Sequence, residues 1–196
     1  MPTTRQQAAQ VQRVGVYLTL DDTARSLTRI SGCIHSIANY VNETVDSRPG
    51  FFERFRRSGE NSSANARALW RFHDRRWAEK LEGRDGEAAG IDDEESDEEE
   101  SPIDEEVDQR IGRPFSFTRA VEVTMDYLRN AINILRERKG EMEAWSDVDG
   151  AIIVTAFIDS YETEMGKWET IREHLARCST YLGESFLDSS IRYGWL

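Results

Sequence analysis

The sequence predicts an all-α fold, four-helix-bundle-like, carrying one long acidic loop. Three observations lead there. Apolar residues recur at steps of three and four over several long stretches, the spacing of one helix face. Residues that start and stop helices punctuate those stretches. One run, residues 91 to 108, holds twelve acidic residues and no basic one, too much like charge to fold on its own.

The first helix is expected to start at Asp21, Asp22 or Thr23, good N-cap residues. Ala24, Leu27, Ile30, Ile34, Ile37, Val41 and Val45 then follow at helical steps. Residues 1 to 20 read as a polar N-terminal arm. Ser47-Arg48-Pro49-Gly50 ends the helix with strong turn chemistry. GFFERFRRSGENSS follows, aromatic and basic, then loop-like. Ser62, Ser63 or Asn65 starts a second helix through Leu81, with Ala66, Leu69 or Trp70, His73, Trp77 and Leu81 on one stripe. Gly83 is its expected stop. Residues 83 to 114 read as a single long loop, a length that compact domains keep for function or leave disordered. Ser116 caps a third helix on which Val121, Met125, Leu128, Ile132 and Leu135 share a face. Its bases in RERKG suit a helix C-terminus, with Gly140 as the cap. Asp147 or Asp149 starts a fourth helix through Met165, although IIVTAFI also fits a buried strand. Trp168, Ile171, Leu175, Cys178 and Leu182 mark a fifth, stopped by Gly183. The helical core is thus expected over 21 to 168, and a C-terminal helix and tail over 169 to 196.

Composition narrows the function. At 196 residues one domain is the natural expectation. Five Trp, eight Phe and six Tyr are too many for a disordered chain. No apolar run approaches the roughly 18 residues of a membrane span, and the polar start MPTTRQQAAQVQR shows no signal, so no membrane partner is expected. Cys33 and Cys178 give no disulfide framework, which favours a reducing compartment. Histidines and cysteines are too widely spaced for a metal motif. Phosphate loops and the common hydrolase motifs are missing. The expectation is therefore no enzyme, no cofactor and no small-molecule substrate. His73 lies on the aromatic stripe and reads as a core or boundary residue. Glu162 with Glu164, and Asp147 with Asp149, read as solvated helix faces.

Charge is distributed unevenly. The chain has 37 acids and 25 bases, and outside the acidic run the two signs balance at 25 each. Residues 48 to 84 hold ten bases, nine of them Arg, against five acids, interleaved with Phe51, Phe52, Phe55, Trp70, Phe72 and Trp77. Arginine offers a planar fork to phosphate oxygens, and aromatic rings offer stacking faces. Arg110, Arg113 and Arg119 follow the acidic run. A single-stranded nucleic acid held by Arg75, Arg76, Arg110, Arg113 and Arg119 fits this pattern; composition alone favours internal neutralisation, the bases pairing with the acidic run and with Glu elsewhere. The carboxylates themselves read in three ways: a solvated spacer, an assembly switch in which crowded acids of neighbouring copies repel, or a mimic of nucleic acid.

The stretch DSYETEMGKW, Asp159 to Trp168, resembles a motif in the coat proteins of rod-shaped plant RNA viruses of the tobamovirus, furovirus and benyvirus type. Tyr161, Glu162 and Trp168 match an aromatic followed by Glu, then Trp several residues later. ALWRFHDRRWAEKL is similar to the helix that delivers RNA-contacting arginines in that family. RPFSFTRAVEVTMDYLRNAINILRE is similar to the returning helix. The acidic run lies where the family has its carboxylate-rich inner loop. The resemblance implies a helical capsid around single-stranded RNA, many copies of one chain, and a virion reached from the host cytoplasm. It implies RNA contacts at Arg75, Arg76 and Arg113, and places Trp168 in an outer hydrophobic girdle. Phe51, Phe52, Phe157 and Tyr161 are expected beside it in subunit contacts. Asp92, Asp93, Glu94, Glu95, Asp97, Glu98, Glu99 and Glu100 would form the assembly switch. A rival resemblance is to Bcl-2-like apoptosis regulators, through Leu69 and Asp74 in ALWRFHDRRW and through VDGAIIVTAF; it implies a groove that binds a partner helix.

If repulsion in the acidic run opposes assembly, deleting residues 92 to 106 should stabilise polymers at neutral pH. Sedimentation reads this, and loss of assembly would overturn the repulsion account.

Overall fold

The computed structural model describes residues 4–44, 49–81, 102–112 and 116–182, with side chains described over 20–43, 53–76, 103–112 and 116–177. These residues form five α-helices and no strand: α1 (Thr4–Thr44), α2 (Pro49–Leu81), α3 (Pro102–Ile111), α4 (Phe117–Ala144) and α5 (Val148–Leu182). The all-α expectation holds, and the possible strand at IIVTAFI is helix.

The register follows from cross-helix hydrogen bonds. Trp70 Nε1 donates to Thr28 Oγ1 at 3.3 Å, Ser63 bonds Ser31, and His35 Nε2 lies 3.2 Å from Ser63 Oγ. Numbers fall on α2 as they rise on α1, so the pair is antiparallel. Trp168 Nε1 donates to Ser58 Oγ at 3.1 Å, Asn61 Nδ2 to Glu164 at 3.3 Å, and Tyr161 Oη to the Ser62 carbonyl at 3.3 Å. Hence α5 is antiparallel to α2. Arg136 to Glu162 at 2.7 Å sets α4 against α5 in the same sense. The helix α1 also packs on α4.

Several boundaries differ from the expected ones. Residues 4 to 20 are not an irregular arm, because α1 runs unbroken from Thr4. Asp21 and Asp22 sit inside it; Asp21 pairs with Arg25 one turn on at 2.9 Å, and the Ser26 hydroxyl bonds the Asp22 carbonyl. Leu20 is already buried, and these polar residues occupy the outer face. Pro49 opens α2, as its fixed φ and missing N–H suit a first helical turn. The loop-like GENSSAN is helical too. Ser, Asn and Gly are poor helix formers alone, but here Ser58, Gly59 and Ser62 are buried between neighbouring helices. A Cβ on Gly59 would lie 2.8 Å from His35 Nδ1, so that close approach of α1 needs glycine.

The expected loop of residues 83 to 114 contains α3. Ile103, Val107 and Ile111 recur at steps of four; Val107 and Ile111 are buried and Ile103 packs against the core. Ile103 sits over Gly32 of α1, where a Cβ would come within 3.0 Å of its Cδ1. Asp104 accepts from Ser36, and Glu106 accepts from Arg29 and, at 2.9 Å, from the Tyr127 hydroxyl. Part of the acidic run is thus docked structure, and a deletion meant to test repulsion should stop at residue 100.

Ser116 caps α4 as expected, accepting from the Arg119 N–H at 3.3 Å. Gly140 does not end that helix. It runs to Ala144, where Asp147 N–H bonds the Met142 carbonyl at 2.8 Å and Ser146 N–H bonds the Glu143 carbonyl at 3.0 Å. This is a Schellman cap, with Ser146 in glycine's usual left-handed place at φ 59°. Asp147 then caps α5, its carboxylate accepting the Gly150 N–H at 3.1 Å. The expected fourth and fifth helices are one, because Gly166 is exposed with open space around it and breaks nothing.

At the core, Trp168 is fully buried with its ring centroid 4.6 Å from that of Phe55, and Phe55 meets Phe117 edge-on at 5.7 Å. Trp168→Ala should cost about 3–5 kcal/mol in a denaturant melt, the usual loss for a large core aromatic. Ser146→Gly should raise stability by about 1 kcal/mol by relieving the left-handed strain. Unchanged stability would mean that the turn does not hold that conformation in solution.

Candidate nucleic-acid interface

Amphipathicity decides which arginines are available. The inner faces of α2 are occupied by α1 and α5, so its charged residues are pushed outward. In its first half most of those charges pair with one another. Arg56 bonds Glu53 and Glu60, and Arg57 Nε bonds Glu53 at 2.8 Å. Arg56, with Arg57 beside it, holds the Glu53 carboxyl at a pKa of about 2, so it stays ionised at any mildly acidic pH.

In the second half the outer face carries Arg67, Arg71 and Arg75 on successive turns. All three are exposed, and none makes an ion pair or side-chain hydrogen bond with a described residue. Their spacing rises about 6 Å per step. The one acid among them, Asp74, is turned to His73 Nδ1 at 3.1 Å. His73 is half-buried and meets Trp70 edge-on, at the boundary of the core.

The arginines expected to converge do not. Arg75 belongs to the exposed row. Arg76, its neighbour, points the other way: its guanidinium bonds Asp147 at 3.0 Å and lies 5.1 Å over the Phe72 ring. Arg110 bonds Asp126 at 3.2 Å and lies 4.6 Å over the Tyr127 ring. Arg119 donates to the Arg110 carbonyl at 3.0 Å and bonds Glu122. Because Phe117 packs on Phe55, the start of α4 stands about 30 Å along the helix axis from Arg75. The reason is topological. Chain order puts Arg76 and Arg110 on either side of the acidic run, whereas α3 docks on α1 and α4. Arg113 lies outside the described residues.

The other expected residues separate in the same way. Asp92, Asp93, Glu94, Glu95, Asp97, Glu98, Glu99 and Glu100 lie outside the described residues, as do the side chains of Phe51 and Phe52. Tyr161 and Trp168, expected at subunit contacts, are buried inside this chain, and Phe157 is partly buried against the same core. Burial pushes the Tyr161 hydroxyl well above its ordinary pKa. Glu164, expected on a solvated face, is 7% exposed, held by Lys167 at 3.0 Å and by Asn61. Among the described residues, the large apolar side chains left exposed are Val148 and Ile152, one turn apart on α5.

Arg67 and Arg71 were missed by the sequence reading. Their signal was present in the step of four shared with Arg75, but only the docking of α1 and α5 shows that this face is free. Among the described residues there is no cluster of metal-ligating side chains, and no helix is long and apolar enough to cross a membrane. Compared with family models, with characterised proteins and with solved structures, the chain matches none.

Neighbouring arginines should therefore behave oppositely. Arg76→Gln should lower stability by roughly 1–3 kcal/mol, because Asp147 loses its charged partner, and leave RNA affinity unchanged. Arg75→Gln should leave the melt unchanged and weaken RNA binding. Filter binding and thermal denaturation of the two variants check this.

Proposed function

We propose that this chain is a structural, non-enzymatic coat protein that polymerises helically around single-stranded RNA. The observation that carries the proposal is the row Arg67, Arg71 and Arg75. Most other described arginines have a carboxylate beside them, and this row is left for an external polyanion. Arginines on successive turns of one helix can each take a phosphate of an extended strand. Contacts of that kind fix a backbone without reading its sequence.

In this reading α1, α2, α4 and α5 act as a four-helix bundle, with the RNA along the outside of α2. Arg76, Arg110 and Arg119 support the bundle instead of touching RNA. The eight carboxylates from Asp92 to Glu100 supply repulsion between copies, since crowded carboxylates hold their protons to higher pH. Protonation then favours assembly, and neutral pH favours release. The site of action is the virion, with host cytoplasm before assembly.

Negative-stain electron microscopy at pH 5 and pH 8, with and without single-stranded RNA, tests the class. Rods or stacked discs, more abundant at pH 5 or with RNA, are expected. Small uniform particles in all four conditions would sink the proposal. Replacing Arg67, Arg71 and Arg75 by Gln should reduce the slope of log affinity against log salt by about 2, since each phosphate neutralised on a single strand adds about 0.7 to that slope.

A further inference from the structure

A second feature of α2 lies apart from the arginine row. Between α2 and α5 is a surface depression of about 250 Å³, lined by Glu53, Arg54, Arg57 and Asn61 from α2 and by Glu164 and Lys167 from α5. Its hydrogen-bonding capacity is lopsided. The Glu53 carboxylate is shared by Arg56 and Arg57, Arg56 reaching it from outside the depression. Glu164 is buried, and one of its oxygens accepts both Lys167 Nζ and Asn61 Nδ2. Both acids are therefore already committed.

The cations are only partly so. Arg54 is exposed and makes no hydrogen bond or ion pair with a described residue. Arg57 uses only its Nε on Glu53, leaving both terminal nitrogens. Lys167 gives one hydrogen bond to Glu164. Arg54 and Arg57 stand one turn apart on one helix, and Lys167 faces them from the other. Arg54 and the remaining donors of Arg57 and Lys167 thus line one depression from two helices, and its three cations outnumber its two acids.

We infer that this depression binds a phosphate group, gripped by Arg54 and Arg57 from one side and by Lys167 from the other. Guanidinium forks match tetrahedral oxyanions in geometry, and Lys167 adds a point charge. The phosphate belongs either to a free phosphoryl compound or to a nucleic-acid backbone. The inference is independent of the RNA row, because none of the six lining residues belongs to it.

The test is calorimetric titration of the full chain with inorganic phosphate, against sodium chloride at matched ionic strength. Saturable binding is expected. Arg54→Gln should weaken it about tenfold, the usual worth of a charged hydrogen bond. It should leave the melting temperature in chloride unchanged, because Arg54 holds nothing else. Arg25→Gln, which removes an exposed arginine paired only within α1, should bind as the unaltered protein does. No phosphate-dependent heat, or equal binding by the Arg54 and Arg25 variants, overturns the inference. A single-stranded RNA oligonucleotide added to the phosphate-loaded protein identifies the source. Displacement of phosphate assigns the site to an RNA backbone, and RNA bound with phosphate retained assigns it to a free phosphoryl compound.

Discussion

Much of this fold depends on the close packing of α1 against α2, with α5 seated on the same stretch of α2 through Trp168 and Tyr161. Where they cross, α2 presents Ser58, Gly59, Ser62 and Ser63, none larger than serine. Ser58 takes the indole N–H of Trp168 and Ser63 takes Ser31 and His35. Small residues let the helices come together, and their hydroxyls supply hydrogen bonds that a buried indole or imidazole would otherwise lack. Larger side chains at these places would push α5 away and expose the ring of Trp168. With both inner sides of α2 taken up, the outer side is left to charge.

That division shapes the electrostatics. Near the start of α2, Glu53 and Glu60 pair with Arg56 and Arg57, leaving Arg54. Farther along, the acids are scarce and the arginines stand alone. Elsewhere, charges that look exposed in the sequence are tied to a specific partner on another element: Arg29 to Glu106, Arg76 to Asp147, Arg136 to Glu162. Pairs of this kind are worth little individually at the surface. Their greater effect is on position, since each ties a guanidinium to a carboxylate of another element and fixes where its remaining donors point.

Much of the fold was legible in the sequence. The periodic stretches at Ala24 to Val41 and Val121 to Leu135 are helices with the expected faces buried, and Ser116 caps where its side-chain chemistry says it should. Misreadings came where local and tertiary preferences disagree. GENSSAN is loop-like by propensity and helical because its small residues fit between two neighbours. In PIDEEVDQRI the density of acid hid three apolar residues at steps of four. Gly140 and Gly166 look like stops but face solvent within helices that tertiary packing continues. Of the arginines expected to act together, only Arg75 is on the free row. Which guanidinium is taken by a carboxylate depends on elements distant in sequence, such as Asp147 for Arg76.

The turn between α4 and α5 has a consequence for how the chain reaches this state. Asp147 closes the cap of one helix and opens the next, so the two share a residue and no slack separates them. Contacts across that hairpin are close in sequence, and closing so short a loop loses little entropy. By contrast, α2 meets α5 through residues about a hundred positions apart, Ser58 with Trp168 and Ser62 with Tyr161. The α4–α5 hairpin and the α1–α2 hairpin, whose helices are also only a few residues apart in sequence, are thus the local units of the fold, and the α2–α5 contacts join them.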